Sequence, residues 1–218
     1  MTLTLYTYWR SSAAYRVRIA LALKGLQAEQ VPIHLVRSGG ENWFEDYRDR
    51  NPQAQVPTLE ADGTPLVQSL AIVEYLEEIR PTPSLLPSDP IARAQARGIA
   101  LAVACDIHPL NNLRVFKYLE EELGVDQKAK LAWIRTWIER GLAAVEQLVL
   151  NVGQSGPYCL GETPGIADLC VIPQLYNARR FDCDTSLCPT LVEIDSLLAD
   201  HPAFQAAHPA NQADSEAQ

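Results

Sequence analysis

The chain is expected to fold as an α/β domain followed by an all-helical domain, and three observations carry that expectation. Short strand-like and helix-like segments alternate over the first eighty residues. Pro81, Pro83, Pro87 and Pro90 then crowd one stretch, which a helix interior does not tolerate and which makes a stiff connector. Beyond it the apolar residues recur almost entirely at helical spacing. The expected domains span 1–82 and 90–212, and 218 residues suffice to bury a core in each.

In order, Leu3, Leu5 and Thr7 alternate with Thr2, Thr4 and Tyr6, the period of a half-buried strand. Ala13, Val17, Ala20 and Leu21 then fall at helical spacing until Gly25. Gln30 to Val36 reads as a second strand and Asn42 to Arg48 as a short helix ending before Asn51-Pro52. Gln55 to Glu60 and Pro65 to Val67 bracket the turn Ala61-Asp62-Gly63-Thr64, a hairpin signal. Ser69 to Arg80 places Ile72, Tyr75, Leu76 and Ile79 on one helical face. Four helices follow, over 91–111, 127–150, 166–181 and 191–198, and 211–218 is expected to be a disordered tail.

A net charge of −9 and a pI near 4.9 oppose binding to nucleic acid or an anionic membrane, both of which reward a basic face. An anionic ligand must therefore be met by local positive charge, from Arg10, Arg16, Arg18, Arg114, Arg179 or Arg180. The absence of a basic, apolar leader or a membrane-length apolar run points to the cytoplasm. Five cysteines without a C-x-x-C pair read as free thiols, with Cys105 and Cys170 expected to be buried in apolar helices. His34, His108, His201 and His208 lack metal-ligand spacing.

The segment from Tyr8 to Ala20 carries the chemistry. Ser11 and Ser12 stand where strand pattern gives way to helix pattern, so they meet the unpaired amides and positive dipole end of a first helical turn. A serine there is commonly just an N-cap. Arg10 beside the hydroxyls, with no carboxylate nearby, favours an anion site.

The β-α-β-α-β-β-α order, the Val56-Pro57 step before a strand and Gln68-Ser69 opening a helix resemble the thioredoxin-like domain of cytosolic glutathione transferases, and the helical second half suits the same fold. The sharper resemblance is to the zeta class. Its signature S-S-C-x-W-R-V-R-I-A-L is met by Ser11-Ser12-Ala13-Ala14-Tyr15-Arg16-Val17-Arg18-Ile19-Ala20-Leu21. Matches continue through Ser69-Leu70-Ala71-Ile72, His108-Pro109-Leu110-Asn111-Asn112-Leu113-Arg114, Asn177-Ala178-Arg179-Arg180-Phe181 and His201-Pro202-Ala203-Phe204.

The resemblance implies a glutathione-binding site in which Pro57 is cis and Val56 pairs in strand fashion with the cysteinyl part of the cofactor. Gln68 and Ser69 would bind its γ-glutamyl carboxylate, and Asn42 its glycyl end. His108 and Asn112 would meet glutathione or a partner subunit. The sulfur would accept a hydrogen bond from Ser11 first, Ser12 second. Arg180 would hold a substrate carboxylate with its planar fork, leaving Arg179 to solvent, and Arg10 could reach the same pocket. The implied activity is glutathione-dependent cis–trans isomerisation of maleylacetoacetate, a dicarboxylic keto acid of tyrosine and phenylalanine breakdown, by a homodimer. Maleylpyruvate isomerisation, conjugation or dehalogenation of small α-halo acids, and a glutathione-fold binding module without turnover are the alternatives.

Three positions depart from the class. Ala13 replaces the signature cysteine, so no protein thiol acts there. Tyr15 replaces tryptophan, and Gly165 stands where Ser or Thr usually caps the helix opening at Ile166, at a cost of a few tenths of a kcal/mol.

Overall fold

The computed structural model describes residues 1–153 and 156–216. The chain divides into two compact units, Met1–Ser84 with Ala199–Gln218, and Leu85–Leu198. The expected second domain therefore loses its end, from Ala199 on, to the first unit.

In the first unit, β1 (Leu3–Thr7), α1 (Ser12–Leu23), β2 (Glu29–Pro32), α2 (Glu45–Arg48), β3 (Thr58–Ala61), β4 (Thr64–Val67) and α3 (Ser69–Ile79) follow the expected order. The sheet runs β2-β1-β3-β4, with β1 parallel to β2 and antiparallel to β3, and β3 antiparallel to β4. Leu3, Leu5 and Thr7 point inward, and Leu5 lies opposite Leu59. Together with Val17, Ile19, Ile72 and Leu76 they form the unit's core. The hairpin turns at Asp62 and Gly63, both at positive φ (46° and 82°), as a two-residue turn between right-twisted strands requires.

The second strand stops at Pro32 instead of reaching Val36. The His34 amide donates to the Glu41 carboxylate (2.8 Å), and His34 Nδ1 accepts from the Val36 and Arg37 amides, so side chains satisfy the backbone that a ladder would have used. Over 211–216, the part of the expected tail that is described, hydrogen bonds tie the chain to the rest of its unit. A fourth helix of this unit, α9 (Pro202–Ala207), packs on α1, and residues to Glu216 follow it, while Ala217 and Gln218 lie outside the described residues. Six residues behind the His201 cap are too few to show a period.

The second unit holds α4 (Pro90–Leu101), α5 (Leu113–Glu121), α6 (Gln127–Asn151), α7 (Ile166–Arg180) and α8 (Pro189–Leu198). Ile99, Val103, Ile134, Ile138, Leu142, Leu169, Leu175 and Leu191 fill its core. The single helix expected over 91–111 is broken: after Leu101 come a π-helical turn (Ala102–Ile107) and a 3₁₀ turn (His108–Asn111). Pro109 lacks the amide a continuing helix needs, and Ile107 fills the space left by Gly141 of α6, where a Cβ would fall 2.4 Å from Ile107 Cγ1. The wider turn shifts the phase that follows, and Cys105, expected to be buried, is exposed; Cys170 is buried. Helix α5, over a stretch where no helix is expected, has only Phe116 and Leu119 on its buried face, too few to mark a period.

Gly165 does cap α7. Asp168, in the first turn, ties the preceding loop to the helix start, taking the Gly165 amide on Oδ2 (2.8 Å) and the Cys159 amide on Oδ1 (3.0 Å). Burial raises its carboxyl above the ordinary carboxylate value, while those hydrogen bonds pull it back down in part.

Candidate active site

Strand register gathers the first-unit candidates. Thr58 pairs with Tyr6 on one side and Val67 on the other, so the C-terminal ends of β1 and β4 and the N-terminal end of β3 share one edge of the sheet. The loop carrying Ser11 and Ser12, the Val56-Pro57 step and the Gln68-Ser69 pair all leave from that edge. Helices α1 and α3 both begin there with no acidic residue in the first turn, so the positive end of each dipole favours an anion.

Ser11 is the N-cap of α1: its Oγ accepts from the Ala14 amide at 3.2 Å. The cap reading and the donor reading are therefore compatible, because accepting that bond leaves the hydroxyl proton free to donate and polarises it. Ser12 is the first residue of the helix and is buried at 4% exposure. Trp9 and Arg10 precede them. The Arg10 guanidinium lies 4.4 Å from the centre of the Trp9 ring, and both Arg10 Nε and Trp9 Nε1 are buried donors without a partner.

The Val56–Pro57 bond is cis. Its approach is braced by a network that sequence reading did not find. Tyr47 Oη donates to the Gln55 carbonyl (2.6 Å) and lies 2.9 Å from Thr58 Oγ1, and Asn51 Nδ2 donates to the same carbonyl (2.8 Å). Desolvation raises the Tyr47 phenol above its ordinary value, which keeps it a donor. Tyr8, Trp9, Tyr47 and Val56 form one buried cluster that ties this step to the serine loop. Asn42 is buried, with Nδ2 donating to the Ala54 carbonyl at 2.8 Å and Oδ1 unpartnered, so its amide nitrogen braces the loop before Val56.

Gln68 caps α3 at φ 71° and ψ 116°, a left-handed conformation that costs a non-glycine residue about 1–3 kcal/mol and recurs at ligand clamps. Its Nε2 donates to Gln53 Oε1 at 2.6 Å. Ser69 Oγ accepts from Arg16 Nη1 at 3.2 Å, which brings buried positive charge to the α3 N-terminus. Arg16 and Arg18, candidates to meet an anion directly, are instead 2% and 3% exposed and act through other groups. Their interleaving with Val17 and Ile19 on a helix buried all round was the signal that each needs internal acceptors.

In the second unit, Arg180 ends α7, exposed, with its guanidinium 5.4 Å from the centre of the Phe181 ring, which packs edge-on to Phe116. Arg179 pairs with Asp195 at 2.6 Å near solvent. His108 opens the 3₁₀ turn, and Asn112 caps α5, its Oδ1 accepting from the Arg114 amide at 3.1 Å.

The first unit thus offers hydroxyl and guanidinium donors, two helix N-termini and a cis-proline edge, and it contains no cysteine, since all five lie between Cys105 and Cys188. That donor set fits a ligand bearing both a carboxylate and a thiol. Residues 1–78 match the family model of the glutathione S-transferase N-terminal domain. The chain is 50% identical to maleylacetoacetate isomerase of Pseudomonas aeruginosa over 98% of its length and 99% of that protein. The chain belongs to the zeta class of glutathione transferases. The structure of a bacterial zeta-class maleyl pyruvate isomerase superposes on this zeta-class chain with a TM-score of 0.94 at 42% identity, covering 98% of this chain and 100% of that one. Maleylacetoacetate isomerase of Methylobacterium extorquens AM1, solved with malonate and glutathione bound, superposes with a TM-score of 0.93 at 41% identity, covering 98% and 100%. Among the described residues, no helix is long and apolar enough to cross a membrane and no His, Cys, Asp and Glu cluster suits a metal ion.

Proposed function

We propose that this chain is a glutathione-dependent isomerase that converts maleylacetoacetate to its trans isomer, fumarylacetoacetate. The observation that carries the reading is the conjunction of a Ser11 hydroxyl at a helix N-terminus with a first unit that has no thiol of its own. When bound, glutathione supplies a thiolate that adds reversibly to the conjugated alkene, so that the former double bond can rotate before elimination.

The residues divide the remaining work. Ser11, backed by the α1 dipole, donates to the sulfur and holds it ionised at neutral pH, where a free thiol with a pKa near 8.5 is only a few per cent ionised. Ser12 stands behind it in the first turn. Gln68, Ser69 and the α3 N-terminus hold the γ-glutamyl carboxylate, and the backbone of Val56 before cis-Pro57 holds the cysteinyl portion. Arg180 binds a substrate carboxylate, and Arg10 answers negative charge that develops on the substrate carbonyl. His108 and Asn112 contact the cofactor or a partner subunit.

Maleylpyruvate differs from maleylacetoacetate mainly in chain length, and solved structures of both names superpose on this chain about equally well. Isomerase assays on both substrates, with and without glutathione, decide between them. Activity on neither, with glutathione still bound, refutes the isomerase reading, and chloride release from an α-halo acid would then assign displacement chemistry. We further propose a cytoplasmic homodimer, supported by free cysteines and by exposed Trp43, Phe44, Leu101, Leu113 and Tyr118; a sizing measurement giving a monomer refutes the dimer.

A further inference from the structure

The peptide between Tyr8 and Trp9 is gripped from both sides. Its carbonyl accepts from Arg18 Nη1 at 3.3 Å, and its N–H donates to Asp214 Oδ2 at 2.9 Å, from a residue 205 positions further along the chain. A trans peptide points those two groups in opposite directions, so the pair of bonds fixes the peptide plane. The same carbonyl accepts from the Ser11 amide at 3.0 Å, and so the plane of this peptide sets where Ser11 stands. Arg18 also holds the Trp9 carbonyl (2.9 Å), Thr7 Oγ1 (3.0 Å) and, across in the C-terminal segment, the Ala207 carbonyl (3.1 Å). That segment is further seated by His208 edge-on to Tyr15 and by Glu216 Oε1, 2.9 Å from His34 Nε2. Since His34 Nδ1 accepts two backbone amides, its proton lies on Nε2 and donates to Glu216.

We propose that Asp214 is a positioning residue for isomerisation: its carboxylate, carried in by the C-terminal segment, locks the Tyr8–Trp9 peptide and thereby aims the Ser11 hydroxyl. This inference rests on the reading that Ser11 donates to the glutathione sulfur. Asp214 touches neither cofactor nor substrate in this role. The negative charge matters less than the acceptor oxygen, because the partner is a neutral amide.

The test compares Asp214→Ala and Asp214→Asn in the full-length protein, following the ultraviolet thiolate absorbance of bound glutathione against pH, with kcat, KM and melting temperature. Asp214→Ala is expected to shift thiol ionisation to higher pH and to lower kcat about tenfold with little change in the substrate KM, the scale of one lost hydrogen bond to a charged group. Asp214→Asn keeps a carboxamide oxygen for the Trp9 amide and should recover most of the loss. Thiol ionisation and kcat unchanged in Asp214→Ala, whatever happens to its melting temperature, overturn the inference, as does an Asp214→Asn variant as impaired as Asp214→Ala. Should the unaltered protein leave bound glutathione at an ordinary thiol pKa, the Ser11 reading falls first and this inference with it.

Discussion

Replacing Ser11 by glycine separates the two tasks of its hydroxyl. As an N-cap, Ser11 accepts one amide bond from Ala14 at 3.2 Å. Glycine serves nearly as well at an N-cap, so Ser11→Gly should cost the fold only a few tenths of a kcal/mol, whereas Ser11→Ala should cost about 1 kcal/mol. As a donor to a thiolate, the same hydroxyl is worth about 1.5–3 kcal/mol, the usual value for a hydrogen bond to an ion. Divided by 1.36 kcal/mol per unit, that loss raises the thiol pKa by about 1–2 units. Turnover at pH 7 then falls by up to about 30-fold in both variants, because a thiol returned to its free pKa near 8.5 is still a few per cent ionised, and the rising limb of the kcat profile moves to higher pH by the same 1–2 units. Urea denaturation measures the first effect, and ultraviolet titration of bound glutathione together with the pH profile measures the second. Full turnover and an unmoved limb in Ser11→Gly would refute the assignment. The same shift in Ser12→Ala, with Ser11→Gly unaffected, would transfer the role to Ser12.

Arg180→Ala should raise the KM for the dicarboxylic substrate about 10- to 100-fold, the loss of a charge-assisted contact, with a smaller change in kcat; an unchanged KM removes Arg180 from substrate binding. Asp168→Asn should destabilise the fold by about 1–3 kcal/mol, because two buried amides need two acceptor oxygens and a carboxamide offers one. Urea midpoints equal to those of the unaltered protein would contradict that account. Burial pushes the Cys183 and Cys188 thiols up to about 11. A raised thiol pKa keeps the unreactive protonated form, so at pH 8 only about one in a thousand is thiolate, and alkylation followed by mass spectrometry should label exposed Cys105 first, with Cys183 and Cys188 accelerating as the pH climbs towards 11. Equal labelling rates at pH 8 would count against the burial effect.

Local pattern was enough for the strand and helix order from Leu3 to Ile79, because each element there is marked by its own period and punctuated by Gly25, Asn51-Pro52, Asp62-Gly63 or the proline connector. The signature around Ser11, the Val56-Pro57 step and the Gln68-Ser69 pair were picked out by their resemblance to the zeta class, and each lies at the junction of two readable elements. Position in the fold was not legible where a partner distant in sequence decides it. Gly141 on α6 lets Ile107 in and widens the turn that exposes Cys105, and nothing around Cys105 announces a glycine thirty-odd residues ahead.

Asn42 shows the same limit within the site, since its burial against Ala54 follows from how two loops pack, not from its neighbours in the chain. Arg16 and Arg18 could be read only as positive charge, whereas the folded unit turns one towards Ser69 and the other towards the carbonyls of the serine loop. By itself the sequence determined the two-part architecture and the absence of any thiol before the proline connector, because these depend on composition and local spacing, while its resemblance to the zeta class singled out the motifs proposed to carry the chemistry. Only the tertiary structure decided that Ser11 is both cap and candidate donor, that the cis-proline edge is braced by Tyr47 and Asn51, and that residues 207–216 return to clasp the first loop. Hydrogen bonds such as Trp9 to Asp214 join residues that the chain separates almost end to end, and only folding brings their donors and acceptors within reach.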